Sequence, residues 1–223
     1  MNKQLTRAFA HGLTVRTGEA APNSIGTLDG YAAVFNQETK LFEGRNIVFY
    51  ERIAPSAFKD SLARNDDIRA LFNHDSGNLL ARRSAKTLEL TEDDKGLRVV
   101  IHLPDTQVGR DTLTNVRLGN LTGMSFGFYI RKQSEQREEP QAGGKAIIRT
   151  TIEAADLIEV SPVTFPAYPQ TELAARSLTP EQIAELEALD KPAAKPGISA
   201  RTAWVLNSWK LAGGNPGNLN TSV

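Results

Sequence analysis

Between residues 27 and 163, apolar side chains recur largely in short runs with strand-like alternation, divided by clusters of Gly, Asn, Asp and Ser. That pattern predicts strands joined by turns. Residues 13–16 fit an edge strand. Residues 27–35 and 46–53, rich in aromatic and β-branched side chains, suggest a hairpin around a loop at 36–45. The apolar run 68–72 leads straight into the turn formers Asn73-His-Asp-Ser-Gly77. Runs at 79–83, 87–90 and 96–103 continue the sheet, with Glu92-Asp-Asp-Lys-Gly96 as a hairpin turn. Residues 118–130, 146–152 and 155–163 supply the remaining strands, and the polar stretch 133–144 reads as an exposed hairpin loop.

The period changes to that of a helix in three places. Pro55 opens a short helix over 55–64, with Phe58 and Leu62 four apart. Val108, Leu113 and Val116 share one face of a helix over 106–118, which Gly119-Asn120 ends. Residues 179–189 begin with Thr179 as N-cap, Pro180 and early acids, and place Ile183 and Leu186 on an amphipathic face. The fold class is therefore mainly β (α+β), with antiparallel pairing. An N-terminal arm (1–26), a core (27–175), a C-terminal helix (176–190) and a flexible Pro/Ala- and Gly/Asn-rich tail (191–223) complete the expected organisation. Within that tail, Trp204 and Trp209 are candidate anchors for a partner.

Composition narrows the chemistry. At 223 residues and 40% hydrophobic content the chain buries one core, and 26 basic against 26 acidic side chains give no signal for nucleic acid. The absence of cysteine excludes disulfides, thiol catalysis and cysteine-ligated metals, leaving oxygen nucleophiles and carboxylates. No apolar run reaches about 18 residues and no signal-peptide core follows the basic start, so a soluble, intracellular protein without membrane contact is expected. No His/carboxylate cluster has the spacing of metal ligands, so neither metal nor cofactor is implied.

Among oxygen nucleophiles, Ser125 is placed distinctively, between Gly123 and Gly127 at the start of an alternating apolar run. Glycines there allow a sharp turn and bring main-chain N–H groups close to the serine. A serine hydroxyl reacts when an imidazole takes its proton and a third group orients that imidazole. Of three histidines, His11 lies in the polar N-terminal segment and His102 in mid-strand, while His74 sits at a strand end among Asn73, Asp75 and Ser76. His74 is the candidate base. Asp156 and Glu159 compete as orienter; three apart on a regular strand they face opposite sides, so one of them points at the site.

Five separated stretches, in order, resemble the prohead, or capsid maturation, serine proteases of tailed bacteriophages, which are distantly similar in fold to herpesvirus assemblin. They are Gly30-Tyr-Ala-Ala-Val-Phe35, Glu51-Arg-Ile-Ala-Pro-Ser-Ala-Phe58, Leu71-Phe-Asn-His-Asp75, Gly119-Asn-Leu-Thr-Gly-Met-Ser-Phe-Gly-Phe128 and Leu157-Ile-Glu-Val-Ser-Pro-Val-Thr-Phe-Pro-Ala167. The resemblance spans roughly residues 27–175. It implies an antiparallel β-barrel core with a few surrounding helices and a serine endopeptidase with Ser125 as nucleophile, His74 as base and Glu159 as third member. Backbone N–H groups near Ser125, or Arg82–Arg83, are the expected oxyanion donors. The implied substrates are the scaffolding segment of the major capsid protein and the protease itself, inside an assembling procapsid in the host cytoplasm. Homo-oligomers are compatible with that setting. The alternatives are an inactive scaffolding or capsid-binding module of the same fold and a serine hydrolase of small esters.

Overall fold

The computed structural model describes residues 4–9, 12–17, 22–64, 66–140, 144–166, 178 and 180–191. The chain divides into two compact units, Met1–Asp190 and Lys191–Val223. The first carries every element described here. Of the second, only Lys191 is described, so the expectations for the tail and for Trp204 and Trp209 lie outside the described residues.

Two open sheets make up the first unit. The larger has seven strands: β1 (Leu5–Phe9), β4 (Thr39–Glu43), β5 (Ile47–Ile53), β6 (Arg69–Phe72), β7 (Asp75–Arg82), β10 (Gly123–Glu138) and β11 (Ala146–Val163). Its main path runs β1-β10-β11-β5-β4, with β6 also on β11 and β7 on β6. The smaller sheet runs β2-β3-β9-β8, from β2 (Thr14–Val15), β3 (Gly26–Val34), β8 (Leu88–Glu92) and β9 (Gly96–Leu103). Mainly β character is as expected. A closed barrel is not found: both sheets are open, and β11 pairs in parallel with both β5 and β6, departing from an all-antiparallel arrangement.

Further differences follow from pairings that periodicity does not encode. Strands β3 and β5 belong to different sheets, and the supposed loop at 36–45 contains β4, which pairs with β5. The polar stretch after residue 130 stays extended to Glu138, because its main chain pairs with the first half of β11. Alternating exposure is no requirement for a strand whose partners supply the ladder. The N-terminal residues contribute β1, paired with β10, and β2, paired with β3.

Three helices lie within the expected ranges: α1 (Lys59–Ala63), α2 (Gln107–Arg117) and α3 (Pro180–Leu189). Pro55 does not open α1, however: residues 55–58 form turns, with Ser56 at φ 65°, and Phe58 is the N-cap. The expected cap of α3, Thr179, lies outside the described residues. In α2, Thr106 acts as N-cap through its Oγ1, which accepts the Gly109 N–H at 3.2 Å. The main core gathers Phe58, Phe126 and Phe128 with Leu28, Leu97, Ile101 and Met124, and Phe58 meets Phe126 edge-on at 5.4 Å between centroids. Alternation in β10 sends Met124, Phe126 and Phe128 into this core. Ser125 and Gly127 therefore lie on the other side of the strand.

Candidate active site

Strand β6 turns into β7 through two residues, Asn73 and His74, inside the Phe72–Asp75 pair. Both have positive φ, 54° and 62°, as a type I′ hairpin turn requires. Asparagine tolerates that region; histidine does so at about 1–2 kcal/mol. The turn is fastened to the end of β11. Asn73 N–H donates to Pro162 O at 3.0 Å, Asn73 Nδ2 donates to Thr164 Oγ1 at 3.0 Å, and Thr164 N–H donates to Asn73 Oδ1 at 2.8 Å. His74 N–H donates to Ser161 Oγ at 3.2 Å. A strained histidine at a tip fixed this firmly is an imidazole held in place.

That imidazole meets the carboxylate of Glu159: His74 Nδ1 lies 2.6 Å from Oε1. The other carboxylate oxygen, Oε2, accepts the Ser161 hydroxyl at 2.6 Å. Glu159 and Ser161 are buried, whereas His74 is partly open to solvent. The β10–β11 register sets Gly127 opposite Glu159 and Ser125 opposite Ser161. Ser125, Gly127, Glu159 and Ser161 thus share one face of the sheet, away from Phe126 and Phe128.

The two glycines serve close approach rather than a turn, and Ser125 lies in a regular stretch between β1 and β11. A Cβ at Gly127 would stand 2.5 Å from Glu159 Oε1 and also strike Gln4 Nε2, so glycine makes room for the carboxylate. A Cβ at Gly123 would meet the Pro166 ring at 2.5 Å.

Ser125 is 1% exposed, and its hydroxyl donates to Arg7 O on β1 at 2.8 Å. The structure thus brings His74 and Glu159 into contact and sets Ser125 one strand away on the same face, with its hydroxyl given to a main-chain carbonyl and not to the imidazole. Strand β1 is anchored by the buried pair of Arg7 with Glu51, whose Oε2 accepts from Nη2 at 2.8 Å.

The remaining candidates are committed elsewhere. Asp156 accepts from Arg64 Nη2 at 2.6 Å and is paired with Arg131. Burial pushes its carboxyl upward, but these two guanidinium groups together hold it below the usual range. It does not lie opposite Glu159 across the strand. A β-bulge at Ile158 restarts the alternation, so Leu157 and Val160 both enter the core and both acids point away from it. His102 bridges Thr27 Oγ1 at 3.1 Å and Glu89 Oε1 at 2.8 Å within the smaller sheet. His11 lies outside the described residues. Arg82 donates to Asp67 at 2.8 Å and Arg83 donates to Leu62 O at 2.9 Å, so both guanidinium groups have partners other than Ser125, His74 and Glu159. Sequence reading missed Ser161. Its position two residues after Glu159 on a strand, hence on the same face, was the available signal.

A hydroxyl, an imidazole and a carboxylate on one sheet face are the groups with which a serine peptidase works. The model of the caudovirus prohead serine protease family matches residues 12–185, and the chain belongs to this family. The solved structure of the bacteriophage T4 capsid assembly protease, gp21, is similar over 74% of this chain and 98% of its own, with a TM-score of 0.45 at 10% identity. No curated protein matches the chain.

Proposed function

We propose that this chain is a serine endopeptidase of prohead maturation in which Ser125 is the nucleophile, His74 the general base and Glu159 the orienting acid. The observation that carries the assignment is the 2.6 Å contact between His74 Nδ1 and Glu159 Oε1 on the sheet face that bears Ser125. With Nδ1–H donated to Glu159, Nε2 is the ring nitrogen left to accept a proton. Ser125 Oγ turns from Arg7 O and attacks the scissile carbonyl carbon while Nε2 takes its proton. The tetrahedral intermediate expels the amine, which receives that proton, and leaves an acyl group on Ser125. Water, deprotonated by the same nitrogen, then releases the acid and restores the hydroxyl.

The proposed domain is residues 27–175, flanked by the arm, the C-terminal helix and a tail from 191. The proposed substrates are the scaffolding segment of the major capsid protein and the protease itself, within the assembling procapsid. Membership of the prohead protease family supports that setting. Co-expression with the capsid protein tests it. Wild-type chain is expected to shorten the capsid protein, and Ser125→Ala or His74→Ala to leave it intact. Cleavage by Ser125→Ala would move the nucleophile elsewhere. Particle entry by wild type without any cleavage would instead support an inactive capsid-binding module.

A further inference from the structure

We propose that Ser161 is a positioning residue for the reaction, locking the Glu159 carboxylate and the His74 main chain to one another; the catalytic meaning of this rests on the triad assignment above. Ser161 is 0% exposed. A buried hydroxyl is unfavourable by about 1–3 kcal/mol unless its bonds are made. Here both are: Oγ donates to Glu159 Oε2 at 2.6 Å and accepts the His74 N–H at 3.2 Å.

With the 2.6 Å contact between His74 Nδ1 and Glu159 Oε1, these bonds close a ring. It runs from the Ser161 hydroxyl to the carboxylate, to the imidazole, through His74 to its own N–H, and back to the hydroxyl. Each member is thereby held twice. The carboxylate is tied at both oxygens, so it cannot swing its plane about the Cγ–Cδ bond. The histidine is tied at ring and backbone, which keeps a residue with φ of 62° at the height where its ring meets Oε1. The register puts this hydroxyl directly opposite Ser125, so any shift of the ring is felt next to the nucleophile. Displacements on the scale of 1 Å at such sites cost on the order of 10²-fold in rate.

Proton NMR of the whole chain reads this arrangement without needing turnover. The downfield Nδ1–H resonance of His74, assigned by its loss in His74→Gln, is expected in wild type. In Ser161→Ala it should exchange with solvent at least about tenfold faster as the pair opens. Ser161→Cys, with a weak donor of similar size, should fall between, and it carries the test should the alanine variant not fold. The His102 resonance should stay unchanged in both.

Labelling by a fluorophosphonate, in which the serine oxygen displaces fluoride from phosphorus, supplies the second reading. Ser161→Ala should lower kinact on the order of 10²-fold with KI unmoved. On a Glu159→Gln background the same change should cost less than about threefold, because the group it acts through has already been altered. Wild-type exchange in Ser161→Ala, or an undiminished further loss on the Glu159→Gln background, would overturn the proposal. Continued labelling of Ser125→Ala would instead sink the nucleophile assignment and leave the exchange result to decide the role of Ser161.

Discussion

Strand β11 carries two buried carboxylates, Asp156 and Glu159, three residues apart and both turned from the core, and it treats them in opposite ways. Asp156 is clamped by two arginines, Arg64 and Arg131. Those cations are permanent, so the carboxylate is fully compensated at every pH near neutrality and has nothing left to offer a reaction. Glu159 meets no guanidinium among the described contacts. Its partners are an imidazole, whose charge changes on taking a proton, and a neutral hydroxyl. In the proposed triad its part is to stabilise the imidazolium that forms when His74 takes the Ser125 proton. The lesson is that burial of an acid says little by itself; the permanence of its partner's charge separates a structural acid from a working one.

The sharpest way to break this comparison is Glu159→Gln. The amide keeps the shape but removes the charge and can favour the wrong tautomer, and cleavage of the capsid protein is expected to slow by about 10⁴-fold. A rate within tenfold of wild type, measured on purified protein, would place the orienting role elsewhere. Next in size is Gly127→Ala. The added methyl must displace Glu159 Oε1, 2.5 Å from its position, while the flexible Gln4 can move away. A loss of about 10- to 100-fold in cleavage rate is expected, with the unfolding midpoint little changed. An unaffected rate would show that the carboxylate has freedom the hydrogen-bond ring denies it.

Asp156→Asn should have the smallest effect on catalysis, within about twofold, and its effect should appear in stability. With both arginine partners more than one-third exposed, the expected cost is about 1–2 kcal/mol at neutral pH, read by urea unfolding. The pH dependence has a definite sign. The folded-state carboxyl titrates below its unfolded value near 4, so its contribution is present above about pH 4 and is lost as pH falls through the lower folded value. Asp156→Asn should therefore flatten the acid side of the stability profile. An unchanged acid limb would mean that the two arginines do not stabilise the ionised form.

Much of this could be read along the chain, and the failures have specific causes. The Asn73-His-Asp turn, the α2 helix with its Thr106 cap and the β8–β9 hairpin are short-range features, and their residues carry the signal locally. Strand β4 and the extension of β10 to Glu138 were illegible because a polar segment becomes a strand when a neighbour completes its ladder. Strict alternation sets Asp156 and Glu159 on opposite faces without choosing between them, and a single bulged residue, Ile158, instead puts both on the same side of the strand. Ser161 was illegible too, since a serine in a strand has no distinctive local signature.

By itself the amino-acid sequence determined the mainly β class, the three helices, the absence of thiol chemistry and the short list containing Ser125, His74 and Glu159, because each depends on residue type and near neighbours. Only the tertiary structure decided that the sheets stay open, that His74 Nδ1 meets Glu159 across 85 positions of chain, and that the Ser125 hydroxyl is held by Arg7 from 118 positions away. Those outcomes are long-range pairings, in which register and one bulge settle which side chains meet, and no local pattern of hydrophobic and polar residues encodes them.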